Sequence, residues 1–302
     1  MFLLAELFPQ ANRLKKLPLS RDQLMLLMAA TNQLFLGFDI YLAHMISGTI
    51  VPNEWIPIIF GPTAGALLLL AGLLAFRRRP LATVIASLVL SASIVVGLLG
   101  AYFHLVRAAL PAAPISSRLS IQLLVWGPPV LGPLMFSLVG LLGMSAAWIE
   151  QPADSGRLVL LGGRRLQLPY SKTRAYLYMV SLGSLATVIS SVLDHARAGF
   201  RNPWLWLPTM IGVLATAVSA YLAAVDRPGR AGLLTYTFLM GLLILVGSLG
   251  LILHINTNLT SGGQIVGERF IRGAPFLAPL LFANMGMLGL ITMLPPVESP
   301  SN

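Results

Sequence analysis

The sequence predicts an all-α, polytopic membrane protein of eight transmembrane helices, arranged as two parallel-oriented four-helix repeats. Three observations lead there. First, 56% of the 302 residues are hydrophobic, 10% are charged, and the mean hydropathy is +0.82. So few charges cannot cover a water-facing globule, whereas a bilayer accepts apolar side chains outward and requires only that backbone polar groups bond within helices or a closed barrel. Second, eight apolar stretches approach the roughly 20 residues that cross a hydrocarbon core: 24–45, 55–76, 81–107, 124–148, 174–195, 204–225, 231–255 and 274–294. Third, the chain repeats itself.

Residues 1–23 read as a cytoplasmic interfacial segment, because their apolar patch is broken by Glu6 and Pro9 and followed by Arg13, Lys15 and Lys16. A cleavable signal peptide has its basic region first and a longer apolar run after it. The first repeat occupies 24–148. A cytoplasmic linker follows at 149–173, where Gly162-Gly163 between two alternating runs predicts a short hairpin. The second repeat occupies 174–294, and 295–302 form a cytoplasmic tail.

An even helix number puts both termini on one side. That side collects fourteen Lys and Arg residues, among them Arg77 to Arg79, Arg164, Arg165 and Lys172, against six on the other: Arg107, Arg118, Arg197, Arg201, Arg269 and Arg272. The positive-inside bias then assigns the termini to the cytoplasm of a plasma (inner) membrane. The net charge of +10 belongs to these loops and gives no reason to invoke nucleic acid. With no cysteine, disulfides, thiolate metal sites, iron–sulfur clusters and cysteine nucleophiles are excluded.

The repeat is visible in three ordered blocks. His44-x3-Gly48-x6-Trp55-x-Pro57 matches His195-x3-Gly199-x6-Trp206-x-Pro208 at an offset of 151. Gly97-x2-Gly100-x3-His104 matches Gly247-x2-Gly250-x3-His254 at 150. Gly127-x-Pro129-x3-Pro133-Leu134-x-Phe136-x3-Gly140-x2-Gly143 matches the run from Gly273 to Gly289 at 146. Each unit has four helices, so the units share an orientation and a pseudo-twofold axis along the membrane normal.

All four histidines fall at matched positions, at the outer ends of helices one, three, five and seven. In an up-and-down bundle the first and third helices face diagonally, so His44 can meet His104, and His195 can meet His254. From Arg21 to His44 is 23 residues and from Arg79 to His104 is 25, about 35 and about 37 Å at 1.5 Å each. The depths agree within a turn, near the outer membrane surface. Imidazole ligates haem iron and many divalent metals, and Gly100 and Gly250, four residues before their histidines, clear the same helical face for a flat macrocycle. Three readings stay open: histidines bonded to loop carbonyls with glycines as helix-packing residues, paired ligation of haem b or a metal by His44, His104, His195 and His254, and hydrogen bonding to a quinone headgroup.

Asp39, one turn before His44, is the clearest intramembrane acid, and such a residue is a functional candidate by default. Its repeat counterpart is Ser190; Asn32 or Gln33 could be its polar partner. Asp194 stands opposite Ala43. The Pro129/Pro133 and Pro275/Pro279 pairs free carbonyls one turn earlier and predict kinks in helices four and eight. Trp55 and Trp206 read as interfacial anchors. Inside the edge residue Arg174, no Asp, Glu, His, Lys or Arg falls in the cytoplasmic halves of the eight stretches. No protease, α/β-hydrolase or P-loop pattern occurs.

By architecture alone, two four-helix units in one chain resemble the NrfD-like quinol-interacting membrane anchors of respiratory complexes, and diagonal histidine pairs resemble b-type cytochromes. The function expected is an electron-transfer subunit that binds haem b or quinone near the outer face and serves a periplasmic redox protein. The alternatives are a small-solute or ion transporter with Asp39 on its path, and a noncatalytic scaffold.

Overall fold

Two helices open behind a serine cap. In the computed structural model, which describes residues 19–46, 48–109, 125–260 and 265–296 together with Leu3 and Leu7, Ser20 accepts from the Gln23 amide while the Gln23 side chain accepts from the Ser20 amide. This reciprocal cap satisfies two orphan donors and opens α1 (Arg21–Met45). Ser171 likewise accepts from the Arg174 amide and opens α5 (Lys172–Arg197).

The other helices are α2 (Trp55–Ala75), α3 (Arg79–Ala109), α4 (Leu131–Ala147), α6 (Trp206–Ala224), α7 (Arg230–Thr260) and α8 (Leu280–Thr292). Within the first half α1 packs on α2, α2 on α3, α3 on α4, and α4 back on α1; the second half packs α5 to α8 in the same cyclic order. The halves meet through α4 against α5 and α8 against α1. Outward faces are apolar, with Leu73, Leu88, Phe238 and Leu245 all more than 60% exposed, as contact with lipid requires.

Six helical segments are long and apolar enough to cross a membrane, whereas α4 and α8 are shorter, at 17 and 13 residues. The expected full-length spans at 124–148 and 274–294 are therefore corrected, and the prolines explain why. Pro133 is the third residue of α4 and Pro279 immediately precedes α8. Without an N–H, and with its φ already helical, proline suits a helix start. The pairs therefore begin these helices instead of kinking them.

Between α4 and α5, β1 (Ile149–Glu150), β2 (Arg157–Val159) and β3 (Arg165–Gln167) form an antiparallel three-stranded sheet. The β2–β3 turn is made by Gly162 and Gly163, both at positive φ (69° and 75°), where a side chain would be strained. Expectations for residues 1–18, for the 110–124 loop and for the tail beyond 296 fall outside the described residues, except that Leu3 and Leu7 are buried in the core.

Candidate functional site

The matched glycines, prolines and histidines assemble into the same packing arrangement in both halves. Pro133 has no N–H, so the carbonyl of Pro129, four residues earlier, lacks its helical partner. The Nδ1–H of His104 donates to that carbonyl at 2.9 Å, and the Nδ1–H of His254 donates to Pro275 at 3.0 Å. The space a Cβ would fill at Gly100 is taken by Pro133 Cβ at 2.8 Å, and at Gly250 by Pro279 Cβ at 2.7 Å. Gly97 and Gly247, one turn inward, admit the Pro133 and Pro279 carbonyls at 2.9 and 2.7 Å. Gly100 and Gly250 therefore seat a proline ring, and the slot expected for a macrocycle beside them is filled.

A carbonyl can only accept, so His104 carries its proton on Nδ1, which leaves the neutral ring a lone pair on Nε2. His44 is arranged similarly, its Nδ1 lying 2.8 Å from Ile40 O. The His44 and His104 rings stand edge to face with centroids 6.1 Å apart, across the diagonal of the first half. The second half differs. His195 meets the ring of Phe200 edge-on at 6.0 Å, and Phe200 stacks on Trp206 at 4.3 Å.

A cavity of about 1220 Å³ lies between the halves, lined by α1, α4, α5 and α8 and reached by the His104 end of α3. His44 and His104 line it; His195 and His254 do not. On α1 the lining runs from Met28 to His44, 16 residues or about 24 Å of helix. Asp39 lines it without a hydrogen bond or ion pair among the described residues, as do Asn32 and Ser190. Gln33 is not the partner of Asp39: it is fully buried and donates to Ser93 at 2.5 Å. Across the cavity Asp194 pairs loosely with Arg197 at 3.8 Å.

Two participants escaped sequence reasoning. Glu54, only 8% exposed at the cavity mouth, lies 3.9 Å from His44 Nε2 and 3.3 Å from Arg107 Nη1, and accepts from the Val51 amide at 3.1 Å. Its repeat counterpart is Leu205, and that of Arg107 is Thr257, a loss of charge readable in the sequence. Asn284 on α8 is 9% exposed, lines the cavity, and leaves its Oδ1 without a partner; its counterpart is Leu138.

The opposite end of the molecule corrects a further expectation. Ionisable residues do sit at the Arg21 end of the helices, and they are buried: Arg21, Asp22, Glu150 and Lys172 are 2, 7, 6 and 1% exposed. Helices α1 and α5 start earlier than the apolar runs, at Arg21 and Lys172, so residues assigned to loops become helical and internal. Lys172 Nζ donates to Asp22 at 2.5 Å and to Trp148 O at 2.6 Å, Arg21 donates to Thr173 at 2.7 Å, and the Tyr176 hydroxyl donates to Asp22 at 3.0 Å. Glu150 accepts from the amides of Lys172, Gly156 and Asp154. The fully buried charges, two cations and two carboxylates, sum to zero, the condition under which buried charge is tolerated, and the half-buried Asp154 accepts from Thr173 at the cluster's edge at 3.1 Å.

Among the described residues no three His, Asp or Glu side chains converge as a metal-ligating group. Comparison with protein-family models, with curated proteins and with solved structures gives no match.

Proposed function

We propose that the chain is an inner-membrane subunit that binds a quinone-class amphiphile in the cavity between its two four-helix halves, with the headgroup at the outer face. One observation favours this above the others. The histidine pair of one half only, with Glu54 and Arg107 added, opens onto a long and mostly apolar cavity, which suits a polar headgroup with an apolar tail. The Nε2 lone pair of His104 accepts a hydrogen bond from a quinol hydroxyl, and the His44–Glu54 pair takes a released proton. Oxidation of a quinol there releases two protons and two electrons, the electrons passing singly to one-electron acceptors on a periplasmic redox protein.

Haem b fits less well. One haem per half would need a slot beside each of Gly100 and Gly250, where Pro133 and Pro279 stand, and the second histidine pair does not reach the cavity. The matched contacts of the two halves, down to the proline carbonyls, support a duplicated four-helix unit with eight membrane-embedded helices. The basic bias supports cytoplasmic termini.

The test is extraction of the purified protein with organic solvent and chromatography for quinone, alongside a reduced-minus-oxidised absorption spectrum. Loss of one hydrogen bond at about 1–1.5 kcal/mol should lower quinone affinity roughly tenfold in His104→Ala, and Glu54→Gln should act in the same direction, while His254→Ala leaves it unchanged. Equal losses from His104→Ala and His254→Ala, or a haem spectrum without quinone, would sink the proposal.

A further inference from the structure

The buried cluster at the Arg21 end has a symmetry that the cavity lacks. Arg21 and Lys172 are separated by the repeat offset of 151, and so are Asp22 and Thr173. Arg21 of the first half reaches Thr173 of the second, while Lys172 of the second reaches Asp22 of the first. Each position contacts the other's equivalent, the exchange that defines a self-complementary twofold interface.

This contact closes one end of the cavity. The lining begins at Met28 on α1 and Met179 on α5, six and seven residues beyond Asp22 and Lys172, or about 9 and about 10 Å. Met25, Leu142 and Leu177 fill the floor between. Within each half, helices are locked by glycine contacts against backbone, at Gly97, Gly140, Gly247 and Gly286. Between the halves at this end, the closest contacts are hydrogen bonds and ion pairs, which water can replace when they part. Arg21 Nε makes no hydrogen bond even in the closed arrangement and lies only 3.8 Å from Asp22 Oδ1. A buried ion cluster gives little net stability over apolar packing, and switching is among its best-attested uses.

We infer that the Arg21–Thr173 and Lys172–Asp22 pairs are the inner gate of an alternating-access device, so that the two halves rock about their interface and carry the cavity's occupant between the membrane faces. This goes beyond the quinone reading and does not depend on it. The cargo is an amphiphile whose polar group donates hydrogen bonds, since Asp39 and Asn284 Oδ1 offer acceptors without partners.

The chain has no cysteine, so a single Met28→Cys reports on the inner limit of the cavity. A charged, membrane-impermeant thiol reagent is applied to sealed vesicles of either orientation. Labelling should be fast from the His44 end and slow but measurable from the Arg21 end. Adding Asp22→Asn, which strips Lys172 of its carboxylate, should speed labelling from the Arg21 end at least tenfold. The paired change Asp22→Leu with Lys172→Met, an apolar closure, should bring it at least threefold below the native rate. A separate Leu90→Cys, inside the core of the first half, must stay unlabelled in the Asp22→Asn background. If it is labelled that variant has unfolded, and the apolar pair decides: a native or higher rate that persists with the folded apolar pair, relative to a threefold or greater slowing, overturns the gate. An unchanged Arg21-end rate in folded Asp22→Asn overturns it too.

Discussion

One chemical change, glycine to alanine, should have opposite effects at two pairs of positions. At Gly97 an added Cβ meets the side chain of Ser137, its amide N at 2.6 Å and the Pro133 carbonyl at 2.9 Å; at Gly247 it meets Ala283 N at 2.5 Å and Pro279 O at 2.7 Å. Most of these atoms are backbone, so no rotamer change relieves the overlap, and α3 must move from α4, or α7 from α8. Overpacking of this kind costs about 1–3 kcal/mol, and backbone contact argues for the upper half of that range. At Gly72 and Gly241, exposed on α2 and α7, nothing lies within 4 Å of the new atom. Alanine gains roughly 0.8–1 kcal/mol of helix propensity at all four sites, so that gain cancels in the comparison. The gap between the two classes is then the packing cost, about 2–3 kcal/mol, or roughly 4–12 °C in apparent Tm at 2–4 °C per kcal/mol. Heat ramps of the purified protein at one fixed scan rate measure it. Gly97→Ala and Gly247→Ala should melt well below Gly72→Ala and Gly241→Ala, and coincident Tm values would refute the close-approach reasoning.

Removal of Asp22 alone should leave Lys172 buried and uncompensated, and destabilise by about 3–5 kcal/mol; Asp22→Leu with Lys172→Met should regain most of it, and equal losses in the single and double variants would show that volume, not charge, is at issue. For orientation, cysteines placed singly at Arg78 and Gly162 should react with impermeant reagents from the cytoplasm, and those at Asn53 and Asn202 from outside. Reactivity of all four from one face would overturn the proposed topology.

Helical class and the positions of the histidines were legible because both rest on short-range signals: apolar run length and exact residue spacing. Helix length at α4 and α8 was not, because a proline four residues after another can kink a helix or start one, and only the packing of Pro133 on Gly100 and Pro279 on Gly250 decides. The charge cluster escaped for a related reason. Arg21, Asp22 and Lys172 lie at the edges of apolar runs, where hydropathy ends a span, yet the Ser20 and Ser171 caps place them inside the first helical turn. Their partners across the two halves are 150 or 152 residues away, a distance no local pattern encodes. Glu54 was overlooked because it sits in a loop beside a tryptophan anchor, although a lone acid there facing Leu205 in the other half was an available clue.

The two copies also separate architecture from chemistry, in a way opposite to the first reading of the repeat. Positions retained in both halves, Gly100 with Gly250, Pro133 with Pro279 and His104 with His254, are those whose roles the packing explains: ring on glycine, carbonyl to imidazole. In both halves these residues make the same local contacts, although the Pro275 carbonyl also accepts from the Ala278 amide at 3.2 Å. The positions that differ are Asp39 against Ser190, Glu54 against Leu205, Arg107 against Thr257 and Asn284 against Leu138. All four polar members line the same cavity, and two of them, Glu54 and Arg107, stand beside one histidine pair. Packing that both halves share cannot account for residues only one half carries, and an acid or an unpartnered amide is costly to hold in a membrane without a compensating use. Between two halves that share one packing pattern, asymmetry is therefore the better guide to a site, and the proposed function gives His44 and His104 a place in it through Glu54 and Arg107.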